Sequence, residues 1–235
     1  MLQLQQKEQT MEKISETLQK NELFAGLPDG EVESMLSCLG YFVKKYPKND
    51  MVWNAGDKTD SFGIVVSGQV HVIREDYFGK RSIVAAIGPG GIFGEAFVCA
   101  GVKAVPVAVA AERESEVLFL NIDKILTSCG NACAFHSTLI KRLVRLLARK
   151  NIQLNQKTDF LSRRTTREKL GAYLLSQYSR QETNPFLVDL NRTEMADYLS
   201  VDRSAMSREL SRLKAEGVID YWKNSFQILD FDRFI

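Results

Sequence analysis

Between Asn131 and Leu161 the chain contains neither glycine nor proline, and its apolar residues recur at intervals of three and four. That spacing predicts one long α-helix, since nothing interrupts the backbone ladder and apolar side chains return to the same face. Ile140, Val144, Leu147, Asn151, Leu154, Thr158 and Leu161 alternate by four and three, a heptad seam for a second helix. Leu139, Leu143 and Leu146 form an adjoining apolar face. Two such faces predict two neighbours, the helix's own β domain and a second copy of the chain. Asn151 and Thr158 weaken the seam if buried, but a polar residue there fixes register and a two-stranded state. The alternative is that the whole stretch is core of one larger domain.

Upstream the period is different. Met11–Lys20 reads as a short amphipathic helix, and Gly30–Leu39 as a second with Val32, Met35, Leu36 and Leu39 on its apolar face. From Tyr41 short apolar runs alternate with turns at Tyr46-Pro47-Lys48-Asn49-Asp50, Ala55-Gly56-Asp57, Ser67-Gly68 and Gly88-Pro89-Gly90-Gly91. The runs Phe62–Val66, Gln69–Arg74, Arg81–Ile87, Val105–Ala110 and Glu116–Leu120 predict a small all-β sandwich or barrel with helices at its edges.

Downstream, Thr165–Leu170 opens a helix with Leu170, Tyr173, Leu174 and Tyr178 inward, and Asn184-Pro185 breaks it. Thr193–Leu199 and Arg203–Lys214 then form two short helices around Ser200-Val201, with Asp202 as a helix cap. The second places Met206, Leu210 and Leu213 on one face and Arg203, Ser204, Ser207, Arg208 and Ser211 on the others. Arginine's planar fork matches the two major-groove acceptors of guanine, and small serines permit close approach to DNA. This is the pattern of a helix-turn-helix; a surface helix with solvated charges is the blander alternative. Val218–Tyr221 and Phe226–Leu229, joined by Trp222-Lys223-Asn224-Ser225, predict a hairpin wing. The expected domains are 1–130, 131–162 and 163–235.

A chain of 235 residues is long enough for one large or two modest domains. Its 45% hydrophobic and 26% charged fractions are those of a globular protein, and a net charge of +2 does not exclude DNA when basic residues cluster. The long helix is such a cluster: Lys141, Arg142, Arg145, Arg149, Lys150, Lys157, Arg163 and Arg164 face only Asp159. Some of these are expected to pair with Glu112, Glu114 and Glu116. No apolar signal region or membrane-length run is present, which predicts a cytoplasmic protein with no membrane partner. Cys38, Cys99, Cys129 and Cys133 form no C-x-x-C pair, so they read as small buried hydrophobes. Cys129 and Cys133, four apart, leave open a redox role, but no metal site is expected. Two histidines and no nucleophile motif leave no catalytic constellation to name.

The order of parts, together with Ser67-Gly68-Gln69-Val70, Pro89-Gly90-Gly91-Ile92-Phe93-Gly94-Glu95, Thr193-Glu194-Met195-Ala196 and Arg203-Ser204-Ala205-Met206-Ser207-Arg208, resembles the Crp/Fnr family of bacterial transcription regulators. The resemblance runs from about Leu23 to Leu229. It implies an α+β chain with an N-terminal β-roll of the cyclic-nucleotide-binding type, a long dimerisation helix and a C-terminal winged helix-turn-helix. It implies a homodimer on a two-fold symmetric operator in double-stranded DNA, with RNA polymerase as a further partner. Arg203, Ser204, Ser207 and Arg208 fall on the family's base-reading or backbone-contacting positions. Arg192, Thr193 and Lys223 are the candidates for phosphate contact. Many relatives carry glutamate where Ser204 stands, so the operator is expected to differ there.

The sensor half departs from the cyclic-AMP pattern, which requires Gly-Glu followed about ten residues on by Arg-Ser. Gly94 and Glu95 are present; Val105 and Pro106 stand at the Arg-Ser positions. A phosphate left without a counter-charge there is strongly disfavoured, and Lys103 would need a shifted loop to supply one. The effector is therefore expected to be another small molecule, held by Gly94, Glu95, Ala96, Val105 and Pro106 and capped by Asn151, Leu154 and Asn155. Two alternatives remain. One is a redox or gas sensor using cysteines or a haem, for which His71 and His136 are the only histidines and His71 reads as a surface residue. The other, from a different class, is a ligand-binding regulatory subunit of an enzyme.

Overall fold

The short apolar runs of the first half become two antiparallel sheets. The computed structural model describes residues 2–79, 81–127 and 134–234; Cys129, Cys133 and the expected 130/131 boundary lie outside the described residues. One sheet has the order β1 (Phe42–Tyr46), β8 (Ser115–Asn121), β3 (Ser61–Ser67), β6 (Ile92–Phe93). The other has β2 (Met51–Trp53), β7 (Ala108–Ala111), β4 (Val70–Glu75), β5 (Arg81–Ile87).

The middle strand β3 is apolar without alternation because both of its faces are covered. Phe62, Ile64 and Val66 pack with residues of helices α1 (Leu2–Gln19), α2 (Asp29–Leu39), α4 (Ile122–Leu126) and the start of α5 (Ala134–Ser162). Val65 looks the other way, onto Trp53, Phe93, Val105, Val117 and Phe119 inside the roll. Leu139, Leu143 and Leu146, the second apolar face of the long helix, are buried in the first of these cores. Each fully buried leucine contributes about 1.5–3 kcal/mol, so Leu143→Ala is a change that would loosen this helix from the sheet.

Three expectations are corrected here. The first helix begins at Leu2 rather than Met11. The strand expected from Val105 begins at Ala108, because Val105 is committed to a loop: its N–H donates to the Asp57 carbonyl at 2.9 Å and its carbonyl accepts from Gly56 N–H at 2.8 Å. Among the described residues, Glu112 and Glu116 pair outside the long helix. Glu116 is 3.0 Å from Lys13 Nζ, Glu112 is 3.5 Å from His71 Nδ1, and Arg142 donates to the carbonyls of Leu23 and Ala25 at 3.0 and 2.9 Å.

The chain divides into two compact units, Met1–Ala148 and Arg149–Ile235, the division falling within α5. The second unit contains α6 (Thr166–Gln181), α7 (Arg192–Leu199), α8 (Arg203–Ala215) and a sheet of order β10 (Ile219–Trp222), β11 (Ser225–Ile228), β9 (Phe186–Leu187). Thr165 caps α6 in a reciprocal box with Glu168. Its core joins Leu170, Leu174, Phe186, Met195, Leu199, Met206, Leu210, Leu213, Val218 and Phe226, so every element contributes to one apolar cluster. Among the described residues no helix is long and apolar enough to cross a membrane.

Candidate nucleic-acid interface and ligand site

The amphipathic spacing of α8 decides which side chains it presents. Met206, Leu210 and Leu213 are buried, and Arg203, Ser204, Ser207, Arg208 and Ser211 are exposed. Asp202 caps the helix by accepting from the Ala205 N–H at 2.8 Å. Its carboxylate also accepts from the Ser204 hydroxyl at 2.5 Å, and Ser204 in turn accepts from Arg208 Nη1 at 3.2 Å. The Ser204 bond, followed by the Ala205 N–H, holds the Asp202 carboxyl below its ordinary value, so it is ionised at neutral pH.

The angle of α8 is fixed from behind by Arg167 of α6, whose guanidinium reaches Glu216 at 2.7 Å and Glu209 at 3.4 Å. Arg212 also bonds Glu216, at 2.9 Å. The Arg167 hydrogen bond is the main cause of a lowered Glu216 carboxyl, and Glu216 raises Arg167 in return.

The preceding helix α7 starts at Arg192, one residue before the expected Thr193, because Asn191 is the cap. Asn191 accepts from the N–H groups of Thr193 and Glu194 at 2.9 and 3.0 Å, and Glu194 returns a bond to the Asn191 N–H at 2.8 Å. The Thr193 side chain is exposed. Lys223 is exposed at the wing turn with φ of 52°.

Arg192 stands apart from the other expected phosphate contacts. Its Nη2 donates to the Lys223 carbonyl at 2.9 Å, and its Cζ lies 5.0 Å from the Tyr221 ring and 4.7 Å from the Phe226 ring. Nη1 is buried without a hydrogen-bond partner among the described residues. Burial is the main cause of a lowered pKa for this guanidinium. It is turned toward the wing, and sequence reasoning missed this tie because the two ends are far apart in the chain. The wing is also held by Lys214, 2.5 Å from Asp220 and stacked 5.1 Å from the Tyr221 ring.

In the β-roll, Gly94 adopts φ of 83° before the short helix α3 (Glu95–Cys99), and a Cβ on it would collide with the Trp53 ring. Glu95 is buried, Ala96 and Pro106 are exposed, and Val105 is part of the aromatic core inside the roll. A valine there supplies no charge to a phosphate. Asn151, Leu154 and Asn155 belong to the other compact unit and are exposed, with Asn155 donating to the Asn151 side chain at 2.9 Å. Of the seam residues, Val144, Asn151, Leu154 and Thr158 are exposed, whereas Ile140 and Leu147 are half-buried against the first core and Leu161 is half-buried.

Of the residues of the sensor alternatives, His71, His136 and Cys99 can be placed, and Cys38, expected to be buried, is exposed. His71, expected at the surface, is half-buried on β4 beside Glu112. His136 is buried with Nε2 3.1 Å from the Lys124 carbonyl. Burial and, second, the Glu95 charge push the Cys99 thiol up, away from the reactive thiolate. Among the described residues no three metal-ligating side chains converge.

Comparison with known proteins matches two separate stretches of the chain. The family described as cyclic nucleotide-binding domain matches residues 43–130, and Crp-like helix-turn-helix domain matches 168–234. The chain is 31% identical over 198 residues to a cyclic AMP receptor protein of Thermus thermophilus, covering 84% of this chain and 87% of that one. It is 26% identical over 223 residues to the transcriptional activator protein FnrL of Cereibacter sphaeroides, covering 88% and 84%. The crystal structure of the Thermus thermophilus catabolite activator protein superposes with a TM-score of 0.53 at 26% identity, covering 91% of this chain and 96% of that one.

Proposed function

The chain belongs to the Crp/Fnr family of transcription regulators, a family of DNA-binding proteins and not of enzymes, and on that footing we propose that it is a homodimeric, sequence-specific regulator controlled by a small molecule other than cyclic AMP. In this reading Arg203, Ser204, Ser207 and Arg208 read base edges in the major groove, Thr193 and Lys223 meet phosphates, and Arg192 positions the wing that carries Lys223. Two copies pair along Ile140, Val144, Leu147, Asn151, Leu154, Thr158 and Leu161. An effector beside Gly94, Glu95, Ala96, Val105 and Pro106, capped by Asn151, Leu154 and Asn155, shifts the balance between two dimer geometries and so the spacing of the two recognition helices. Contact with RNA polymerase is part of the same proposal.

The observation that carries the DNA reading is the exposed row of arginine and serine on α8, opposite its buried Met206, Leu210 and Leu213 and beside a wing. The part of the proposal that sets cyclic AMP aside is supported by Val105, an uncharged side chain buried in the roll core at the position where the cyclic-AMP pattern has arginine. Selection of bound duplexes from a random pool tests the first part. Enriched sites are expected to be two-fold symmetric with half-sites one helical turn, about 34 Å, apart; a pool that never converges would sink it. Cyclic AMP added to the selected duplex is expected to leave affinity unchanged, and mass spectrometry of the purified protein identifies a co-purifying effector.

A further inference from the structure

Directly opposed residues of an antiparallel ladder share a face. The pairs Phe42↔Phe119, Lys44↔Val117 and Tyr46↔Ser115 therefore put Phe42, Lys44 and Tyr46 on the side of β1 that continues the interior of the roll. Inside, Trp53, Phe93 and Phe119 make an aromatic cluster, with Trp53 5.1 Å from Phe93 and 6.4 Å from Phe119. Trp53 presses on Gly94. It also lines a separate cavity of about 620 Å³ at the β1 edge, whose lining does not include Gly94 or Glu95.

This cavity has an aromatic floor and a cationic rim. Phe42 stacks on Phe119 with centroids 4.8 Å apart and planes at 17°, yet remains 53% exposed. Tyr46 and Trp53 complete the floor. Lys44, Lys58 and Lys103 stand around it, all exposed and none in an ion pair among the described residues. Lys44 Nζ lies 4.9 Å over the Tyr46 ring. Asp60 is the one carboxylate among the described lining residues, and it accepts from the Ser61 hydroxyl at 2.7 Å. The rim thus carries more positive than negative charge above a ring surface left open to solvent.

We propose that this mouth of the roll binds a small aromatic anion, a flat ring bearing a carboxylate or phosphate, at a site distinct from the effector position beside Gly94 and Glu95. The ring lies against Phe42, where offset stacking and loss of apolar surface favour it, and the anion meets the lysines. The volume is in the range of small-molecule pockets, roughly 300–1,000 Å³. A neutral ring would lack the charge contacts and an aliphatic anion the stacking, so the site selects for both features together.

The chain has two tryptophans, so Trp222→Phe leaves Trp53, at the cavity wall, as the sole reporter. Trp222 is 77% exposed, which makes the change mild for folding. Full-length Trp222→Phe protein titrated with phenyl phosphate or benzoate is expected to give a saturable change in Trp53 fluorescence, and calorimetry on the unaltered chain the same affinity. The double substitution Lys44→Gln and Lys103→Gln is expected to weaken binding about tenfold, since two exposed charge contacts are lost. Phe42→Ala is expected to weaken it with circular dichroism unchanged, while Glu95→Gln has no effect. Benzyl alcohol and methyl phosphate are expected not to saturate. The proposal is overturned if phenyl phosphate and benzoate give no saturable signal by either method. Affinity indifferent to both the lysine and Phe42 changes, or lost in Glu95→Gln alone, also overturns it.

Discussion

Arg208 and Ser204 are joined across one turn of α8, Nη1 donating to the serine hydroxyl at 3.2 Å while that hydroxyl donates to the Asp202 cap at 2.5 Å. The cap that starts α8 thus also steadies the arginine at its exposed face. Arg208→Ala is expected to reduce affinity for selected DNA by about 1–3 kcal/mol, the discrimination of one bidentate base contact. Dimer mass and circular dichroism should not change. Ser204→Ala removes the tether and leaves the fork, so it should cost less affinity and relax base preference at one pair. Fluorescence anisotropy with single-pair operator variants measures both; unchanged operator affinity in Arg208→Ala would exclude Arg208 from base reading.

Arg192 gives the wing a different kind of prediction. Its guanidinium is held by the Lys223 carbonyl and by the Tyr221 and Phe226 rings. If it positions Lys223, both the fork and the flat stacking surface matter, and Arg192→Lys should behave like Arg192→Ala although it keeps the charge. Both should weaken specific and random DNA alike, and both should lower the slope of log affinity against log salt by about one, as Lys223→Ala does. A direct phosphate contact would instead survive in Arg192→Lys.

The Arg167–Glu216 bond that sets the angle of α8 predicts an acid-sensitive contribution to stability. The Glu216 carboxyl is lowered in the folded chain, chiefly by the Arg167 hydrogen bond. Its contribution is therefore fully present above the ordinary carboxylate range and is lost as pH falls through the lower, folded value. Urea unfolding should show Glu216→Gln less stable than the unaltered chain at about pH 7, with the difference closing toward about pH 3, below the unperturbed range. A difference that persists in acid would mean that Glu216 acts through packing.

These contacts differ in how far the sequence exposes them. The face of α8 is legible because Met206, Leu210 and Leu213 recur within one helix, and the inward leucines of α5 for the same reason. Such amphipathy is local, and tertiary packing only has to accept it. Arg192 is not legible, since its partner carbonyl at Lys223 comes close only when α7 and the wing pack together. The two-residue strand β9 carries no period of its own and exists because Phe186 pairs with Phe226. In the roll, Gly94 and Val105 are singled out only by the resemblance, and the Trp53 ring against Gly94 and the loop bonds that bury Val105 are long-range facts.

The long helix carries the last prediction. Along α5 Val144 is 59% exposed, Ile152 56% and Leu154 64%, large apolar side chains left open to solvent in a single chain. Burial against a second copy would contribute about 1.5–3 kcal/mol for each such side chain, and a carboxylate placed in the seam would have to be desolvated without a partner. If α5 pairs two copies as proposed, Leu154→Asp is expected to shift that dimer toward monomer, read by light scattering across a concentration series. Because Leu154 is 64% exposed in the single chain, the circular dichroism of the monomer should match that of the dimer. Operator affinity should fall further than affinity for a single half-site, since only a dimer presents two copies of α8 at one spacing. A Leu154→Asp chain that stays dimeric at low micromolar concentration would place the interface elsewhere, and Val144→Asp then separates a seam displaced along the helix from one that does not use α5.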